Sequence, residues 1–236
     1  MPIARCVCYS LLAFLTFLST TGFADDDAKP EESGEIALFD GESTDGWTSA
    51  DGGKIGKGWQ VEDGVLVRTE RAGHIYKDNP YEDFELEFEW KLAKKGNSGV
   101  KYCVNFYEKG LWDRSGWLGF EYQLFDDGKL GDPCSVSSTA ALYALFRPSE
   151  EKKLSPPEEF NHSKIIVRGD RIEHWLNGKL LVEVDRSSEG FKKQIAKSKF
   201  AQVDGFGQNH KGRIMLQDHG HKVWFRKVVL RPIASE

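Results

Sequence analysis

Gln217-Asp218-His219-Gly220-His221 sets an amide, a carboxylate and two imidazoles within one short stretch. Groups of these types bind sugar hydroxyls, hold metals or move protons. The same composition also suits a solvated turn, where Asp, Gly and His are ordinary residues. Glu121 is a lone carboxylate on the otherwise apolar run Gly119–Phe125, GFEYQLF. If that face is covered, the group needs a partner or a raised pKa. Glu85, Glu87 and Glu89 alternate with Phe84, Leu86, Phe88 and Trp90. Paired carboxylates can do glycosidase chemistry, but three like charges in alternation read first as a charged outer sheet face. The acidic loop Asp126-Asp127-Gly128 with Asp132 lacks the spacing of a calcium hand. The Gly52–Gly58 stretch, GGKIGKG, misses the phosphate-loop spacing and has no Ser or Thr after its lysine, so it reads as a mobile loop. His174, in mid-strand, reads as a packed sheet residue.

These groups must be positioned mainly by strands. In Gly212–Leu230, Ile214 and Leu216 alternate with Arg213, Met215 and Gln217, and Val223 and Phe225 with Trp224 and Arg226. The pattern predicts two strands joined by a polar turn, with the chemistry at one sheet end. Phe84–Trp90 and Val100–Tyr107 alternate as cleanly, and Gly96-Asn97-Ser98-Gly99 reads as the turn between them. Asp63-Gly64 and Asn177-Gly178 are favoured two-residue hairpin turns. Gly169-Asp170 makes a third turn, Thr139–Phe146 reads as a strand or a buried turn, and Glu189–Gln202 is the one helical candidate. About a dozen short, hairpin-linked strands argue for a single β-sandwich with no second domain.

The chain has 236 residues, 39% hydrophobic and 29% charged, enough for a substantial core. Its net charge of −5, without a long basic block, gives no footprint for nucleic acid. Arg5, the apolar run Val7–Leu18 and the small residues up to Ala24 read as an export signal at 1–24, too short for a comfortable membrane span. Residues 25–35 read as a flexible acidic leader, and the protein is expected to be periplasmic or secreted. Beyond that signal Cys103 and Cys134 remain, and either a disulfide or two buried thiols fits them.

Read in order, Leu38-Phe39-Asp40-Gly41, Gly46-Trp47, Trp59, Asp63-Gly64, Asp83-Phe84-Glu85-Leu86, Asn97-Ser98-Gly99, Gly119–Gln123, Ala141-Leu142-Tyr143, Leu176-Asn177-Gly178 and Leu216–Gly220 followed by Phe225-Arg226 resemble the 3-keto-disaccharide hydrolase family. These proteins are also described as 3-keto-glucoside 1,2-lyase/2-hydroxy-glucal hydratase domains. The resemblance runs over 36–232. It implies a concanavalin A-like jelly-roll β-sandwich, all-β with one minor helical insertion and a sugar-binding concave face. It further implies action on glycosides already oxidised to a ketone at C3. Phe160-Asn161 stands where Trp-Asn is expected, and Lys101 near a position that often carries arginine.

Such a reaction needs a base for the C2 proton, an acid for the leaving group and positive charge at the enolate. On that reading His219 is the acid/base, Glu121 its partner, and Arg226 or Lys101 the enolate stabiliser. Asn97, Gln123, Gln217 and Asp218 would hold sugar hydroxyls. A divalent metal could instead polarise the ketone, with Glu121, Asp218 and His219 as ligands. The alternatives are a non-catalytic polysaccharide-binding jelly roll and an endoglucanase of the same fold. The latter would carry two catalytic glutamates in a Glu-x-Asp-x-x-Glu strand that this sequence does not contain.

Overall fold

Alternation in the sequence becomes two facing antiparallel sheets in the computed structural model, which describes residue 1, residues 34–156 and residues 158–234. The export signal and nearly all of the acidic leader lie outside the described residues. No described helix is long and apolar enough to cross a membrane.

The first sheet runs β11 (Lys179–Asp185), β10 (Arg171–Leu176), β9 (Asn161–Arg168), β6 (Phe84–Leu92), β13 (Val223–Pro232), β4 (Val65–Arg68) and β3 (Trp59–Glu62), with β1 (Ile36–Ala37) added along β13. The second runs β2 (Trp47–Thr48), β5 (Ile75–Lys77), β12 (Arg213–Leu216), β7 (Asn97–Tyr107) and β8 (Gly116–Phe125). Phe84, Leu86, Phe88 and Trp90 of β6 face Val100, Tyr102, Phe120, Tyr122 and Leu124 of the second sheet in one core. Phe84 meets Tyr102, and Phe88 meets Tyr122, edge to face at 6.4 and 5.5 Å, a favoured aromatic geometry. Buried polar groups inside are paired: Trp90 Nε1–H donates to Ser163 Oγ (2.8 Å), Ser163 to Tyr122 OH (2.9 Å), and Tyr122 to the Trp175 carbonyl (3.0 Å).

The hairpins predicted at Asp63-Gly64 and Asn177-Gly178 form. Asp63 and Gly64 both take positive φ between β3 and β4, as do Asn177 and Gly178 between β10 and β11, which matches strand twist in a two-residue loop. The glutamates of β6 do line an outer face, where Arg226, Lys227, Arg231, Lys164 and His162 pair with them. His174 is fully buried: Tyr102 OH donates to its Nε2 (2.8 Å), and its Nδ1–H donates to the Ala140 carbonyl (3.0 Å). Cys103 and Cys134 are buried and free. The predicted helix is α1 (Glu189–Lys197), whose first turn is capped by Ser188 accepting from Phe191 N–H; a 3₁₀ turn at Lys199–Gln202 follows.

Three expectations change. Residues 217–222 do not close a hairpin; they carry the chain from β12 in one sheet to β13 in the other. Asn97-Ser98-Gly99 is not a turn but the start of β7, because the turn closes earlier, with Gly96 N–H donating to the Ala93 carbonyl (2.8 Å). The Gly52–Gly58 stretch packs against its neighbours, since a Cβ on Gly58 would lie 2.1 Å from the Glu70 carbonyl oxygen. Side chains are excluded there by contact.

Three inter-sheet crossings meet at one end of the sandwich: 69–74 between β4 and β5, 93–96 between β6 and β7, and 217–222 between β12 and β13. Ala72 and Gly73 bond Asp218, and Ala93 N–H donates to the Lys222 carbonyl (3.1 Å). The cluster His-Gly-His therefore sits at a junction of crossings, where the backbone leaves both sheets.

Candidate active site

The outer face of the second sheet carries the site. Tyr76, Met215, Lys101 and Glu121 are in register across β5, β12, β7 and β8. One step along, Gly99 pairs with Gln123, and Gln217 N–H donates to the Gly99 carbonyl (2.9 Å). Strand alternation sends these side chains away from the core, because Val100, Tyr102 and Tyr122 between them point inward. A bulge at Cys103 (φ 49°) then turns Val104 to the same outer side as Tyr76 and Met215.

Lys101 Nζ and Glu121 Oε2 lie 3.3 Å apart, and Glu121 is 7% exposed. Gly99 leaves room for that carboxylate, since a Cβ there would sit 2.6 Å from Glu121 Oε1. Gln123 Nε2–H donates to Asn97 Oδ1 (3.2 Å), and Asn97 Nδ2 approaches His219 Nε2 at 3.4 Å. These contacts link the polar row to the junction of crossings. Oε1 of Gln123 and of Gln217 are buried without a hydrogen-bond partner among the described residues. Both are open acceptor positions on the polar face, where buried polar atoms are otherwise nearly always paired.

A cavity of about 760 Å³ opens at the junction, lined among others by Arg68, Glu70, Arg71, His74, Asp218 and His219. It meets the polar row through His219, which Asn97 approaches, and neither Lys101 nor Glu121 lines it. Asp218 builds its wall. Arg68 Nε lies 2.8 Å from Asp218 Oδ1, with both side chains buried, and Gly220 N–H donates to the same oxygen (2.9 Å). Ala72 and Gly73 N–H donate to Oδ2 at 2.7 and 2.9 Å. Burial works against the charge, but the N–H groups of Ala72, Gly220 and Gly73 and the Arg68 guanidinium outweigh it and lower the Asp218 pKa.

His74 is a residue that sequence reasoning missed. Asp218 N–H donates to its Nδ1 (3.1 Å), so the proton belongs on Nε2. The residue is exposed, yet partial desolvation of its imidazole first, and then the positive charge of Lys101, push its pKa down to about 4. The result is a neutral imidazole with a fixed donor. Nothing in its local sequence, Ala72-Gly73-His74, marks it, because only the crossing brings it to Asp218.

Of the predicted site residues, Asn97, Lys101, Glu121, Gln123 and Gln217 share the polar face, and His219 stands at its end. Asp218 is beside them, but both its oxygens are taken by protein donors, so it shapes the wall instead of reading a hydroxyl. Arg226 is not there. It lies on the outer face of the other sheet, with Nε 2.5 Å from Glu89 Oε2 and its guanidinium 3.9 Å from the Phe160 ring centre. The metal set of Glu121, Asp218 and His219 does not assemble. Glu121 is engaged with Lys101 and Asp218 with Arg68 and three N–H groups, and no three metal-ligating side chains cluster among the described residues. The donors present do not fit a divalent ion.

Two facing sheets, with amides and an ion pair on one outer face beside a ligand-sized cavity, define a jelly-roll sandwich, the architecture that lectins also use. The 3-keto-alpha-glucoside-1,2-lyase-like domain model matches residues 34–231. A 3-keto-disaccharide hydrolase of Bacteroides thetaiotaomicron is 30% identical over 228 residues, 84% of this chain and 78% of that protein. Among solved structures, a candidate glycosyl hydrolase from Parabacteroides distasonis is 34% identical with a TM-score of 0.75, covering 86% of this chain and 95% of its own. A second such protein from that organism is 26% identical with a TM-score of 0.56, covering 79% and 99%. A Bacillus subtilis protein of galectin-like fold, 11% identical with a TM-score of 0.53 over 86% of this chain and 96% of its own, shares the fold alone. The chain belongs to the 3-keto-alpha-glucoside-1,2-lyase-like family and is a carbohydrate-acting enzyme of the hydrolase/lyase kind.

Proposed function

We propose that the protein cleaves glycosides carrying a ketone at C3, by elimination across C1–C2 followed by hydration. The observation that carries this reading is the run of polar side chains from His219 through Asn97 and Gln123 to the Lys101–Glu121 pair. It supplies an imidazole, amides and a cation on one face.

The ketone acidifies the C2–H bond. His219 takes that proton, and the electron pair moves to make C2=C3 with negative charge on the C3 oxygen. Lys101 stabilises this charge, and Glu121 holds Lys101 in place. Collapse of the enolate reforms the ketone, makes C1=C2 and breaks the bond from C1 to the leaving oxygen, which takes up the proton that His219 carries. Water then adds at C1, and C2 regains a proton, for net hydrolysis. Asn97, Gln123 and Gln217 hold hydroxyls, and the fixed Nε2–H of His74 donates to a substrate oxygen. Preorganised donors of this kind supply much of the stabilisation in such reactions.

Turnover of a 3-keto-glucoside and of its unoxidised parent, each with and without chelator, tests the reading. Loss of the keto substrate alone, with aglycone release, is expected. Cleavage of the parent at an equal rate would overturn it. We further propose export to the periplasm or medium, which the N-terminal sequence pattern supports. A secreted form beginning at Asp25 is expected from N-terminal sequencing, and retention of Met1 on the cytosolic protein would refute it.

A further inference from the structure

The helical insertion, to which the sequence assigns no role, brings one more cation to the polar face. Ser198 ends α1 and caps the next turn, with its Oγ accepting from Phe200 N–H (3.1 Å). Phe200 is buried and stacks on Phe206 at 4.0 Å with an interplanar angle of 2°, so the backbone at Lys199 is held by core contacts. From there the Lys199 ammonium lies 4.4 Å over the Tyr143 ring centre, a cation–π geometry. Tyr143 is tied to the site in turn, because its N–H donates to the Glu121 carbonyl (3.0 Å).

Lys199 is half-buried, and the charged groups that act on it are Glu121, which attracts it, and Lys101, which repels it. Burial is the largest influence and lowers its pKa. No carboxylate among the described residues comes within 4.0 Å of its ammonium. The contrast with Lys101 is informative, since that cation already faces Glu121 at 3.3 Å. An ordinary surface lysine would keep its head in water. This one lies over the rings of Tyr143 and Phe200, with no carboxylate in ion-pair contact among the described residues.

We propose that Lys199 is a second catalytic cation, contacting the C3 oxygen of the substrate and stabilising the negative charge that builds there when the C2 proton leaves. The inference rests on the keto-glycoside reading above. No bond forms to Lys199. The proton goes from C2 to His219, the charge rises on the C3 oxygen, and it disappears when the C1–O bond breaks. A cation without a carboxylate partner is suited to this, because its field is not already cancelled in the ground state.

The test compares wild type, Lys199→Ala and Lys199→Arg on a 3-keto-glucoside, with melting temperature as a control. Lys199→Ala should lower kcat by about 10²-fold, with KM changed far less. Ethylammonium added to Lys199→Ala should restore turnover in a concentration-dependent way, and Lys199→Arg should retain more than the alanine variant. Wild-type kcat in Lys199→Ala overturns the inference. So does a loss that neither ethylammonium nor arginine relieves, which marks a packing role. An active wild type with an unaffected variant removes only this inference, whereas a wild type inert toward every 3-keto-glycoside removes the keto-glycoside reading as well.

Discussion

Asp218 N–H donates to His74 Nδ1 at 3.1 Å, and this single backbone bond decides which nitrogen of the imidazole carries the proton. Asp218 is itself fixed by four contacts, from Arg68, Ala72, Gly73 and Gly220. The carboxylate thus orders two crossings of the sandwich and, through its own backbone, orients a donor in the cavity. Asp218→Ala should leave the Arg68 guanidinium buried without its partner, at a cost of about 3 to 5 kcal/mol. Denaturant unfolding at neutral pH measures it. A midpoint shift equivalent to less than about 1 kcal/mol would show that the junction does not depend on this carboxylate.

Gly99 offers a way to move Glu121 without touching its chemistry. Its missing Cβ would stand 2.6 Å from Glu121 Oε1, the far end of a side chain that can swing. Gly99→Ala should therefore fold, displace the carboxylate from Lys101 and reduce kcat about 10²-fold, as ångström-scale misplacement can. An alanine variant with wild-type turnover would remove Glu121 from the reaction.

Much of the framework is legible in the residues, for local reasons. Asp63-Gly64 and Asn177-Gly178 specify their turns because those residues accept positive φ. Phe84–Trp90 shows its inner and outer faces because strand side chains alternate. The site is legible only in part. Lys101 and Glu121 meet because β7 and β8 pair with a bulge between Tyr102 and Asn105, and alternation alone does not set register across an irregular loop. Arg226 follows the 217–221 cluster closely in sequence and was expected beside it. The crossing at 217–222 instead delivers it to the other sheet. His74 and Lys199 come from a crossing and an insertion, where no period applies and only tertiary contact creates the role.

The position of Arg226 makes a sharp prediction of its own. Its side chain is 41% exposed and pairs with Glu89, which also accepts from Lys227 Nζ at 2.6 Å. Arg226→Ala should leave kcat and KM for the keto-glycoside within about twofold, and should lower stability by no more than about 1 kcal/mol, as exposed ion pairs do. A large loss of kcat with intact folding would bring Arg226 back into the site.

His174 predicts how the fold responds to acid. Full burial, opposed only in part by its bonds to the Ala140 and Ala141 backbone, lowers its pKa to about 4 from an ordinary 6.5. Between those values the unfolded chain binds a proton that the folded protein refuses. Stability therefore rises with pH across this window, is complete above about pH 6.5 and falls as the pH drops toward 4. The linkage amounts to roughly 3 kcal/mol over the window. Tyr102 OH needs the unprotonated Nε2 as its acceptor, so protonation also removes that bond. His174→Gln removes the titration while keeping an amide that can accept from Tyr102. Urea unfolding at pH 7 and at pH 4.5 should show a smaller loss in the variant than in wild type, whatever its absolute stability. Equal losses in the two proteins would mean that His174 does not set the acid limit, leaving carboxylates such as Asp218 to do so.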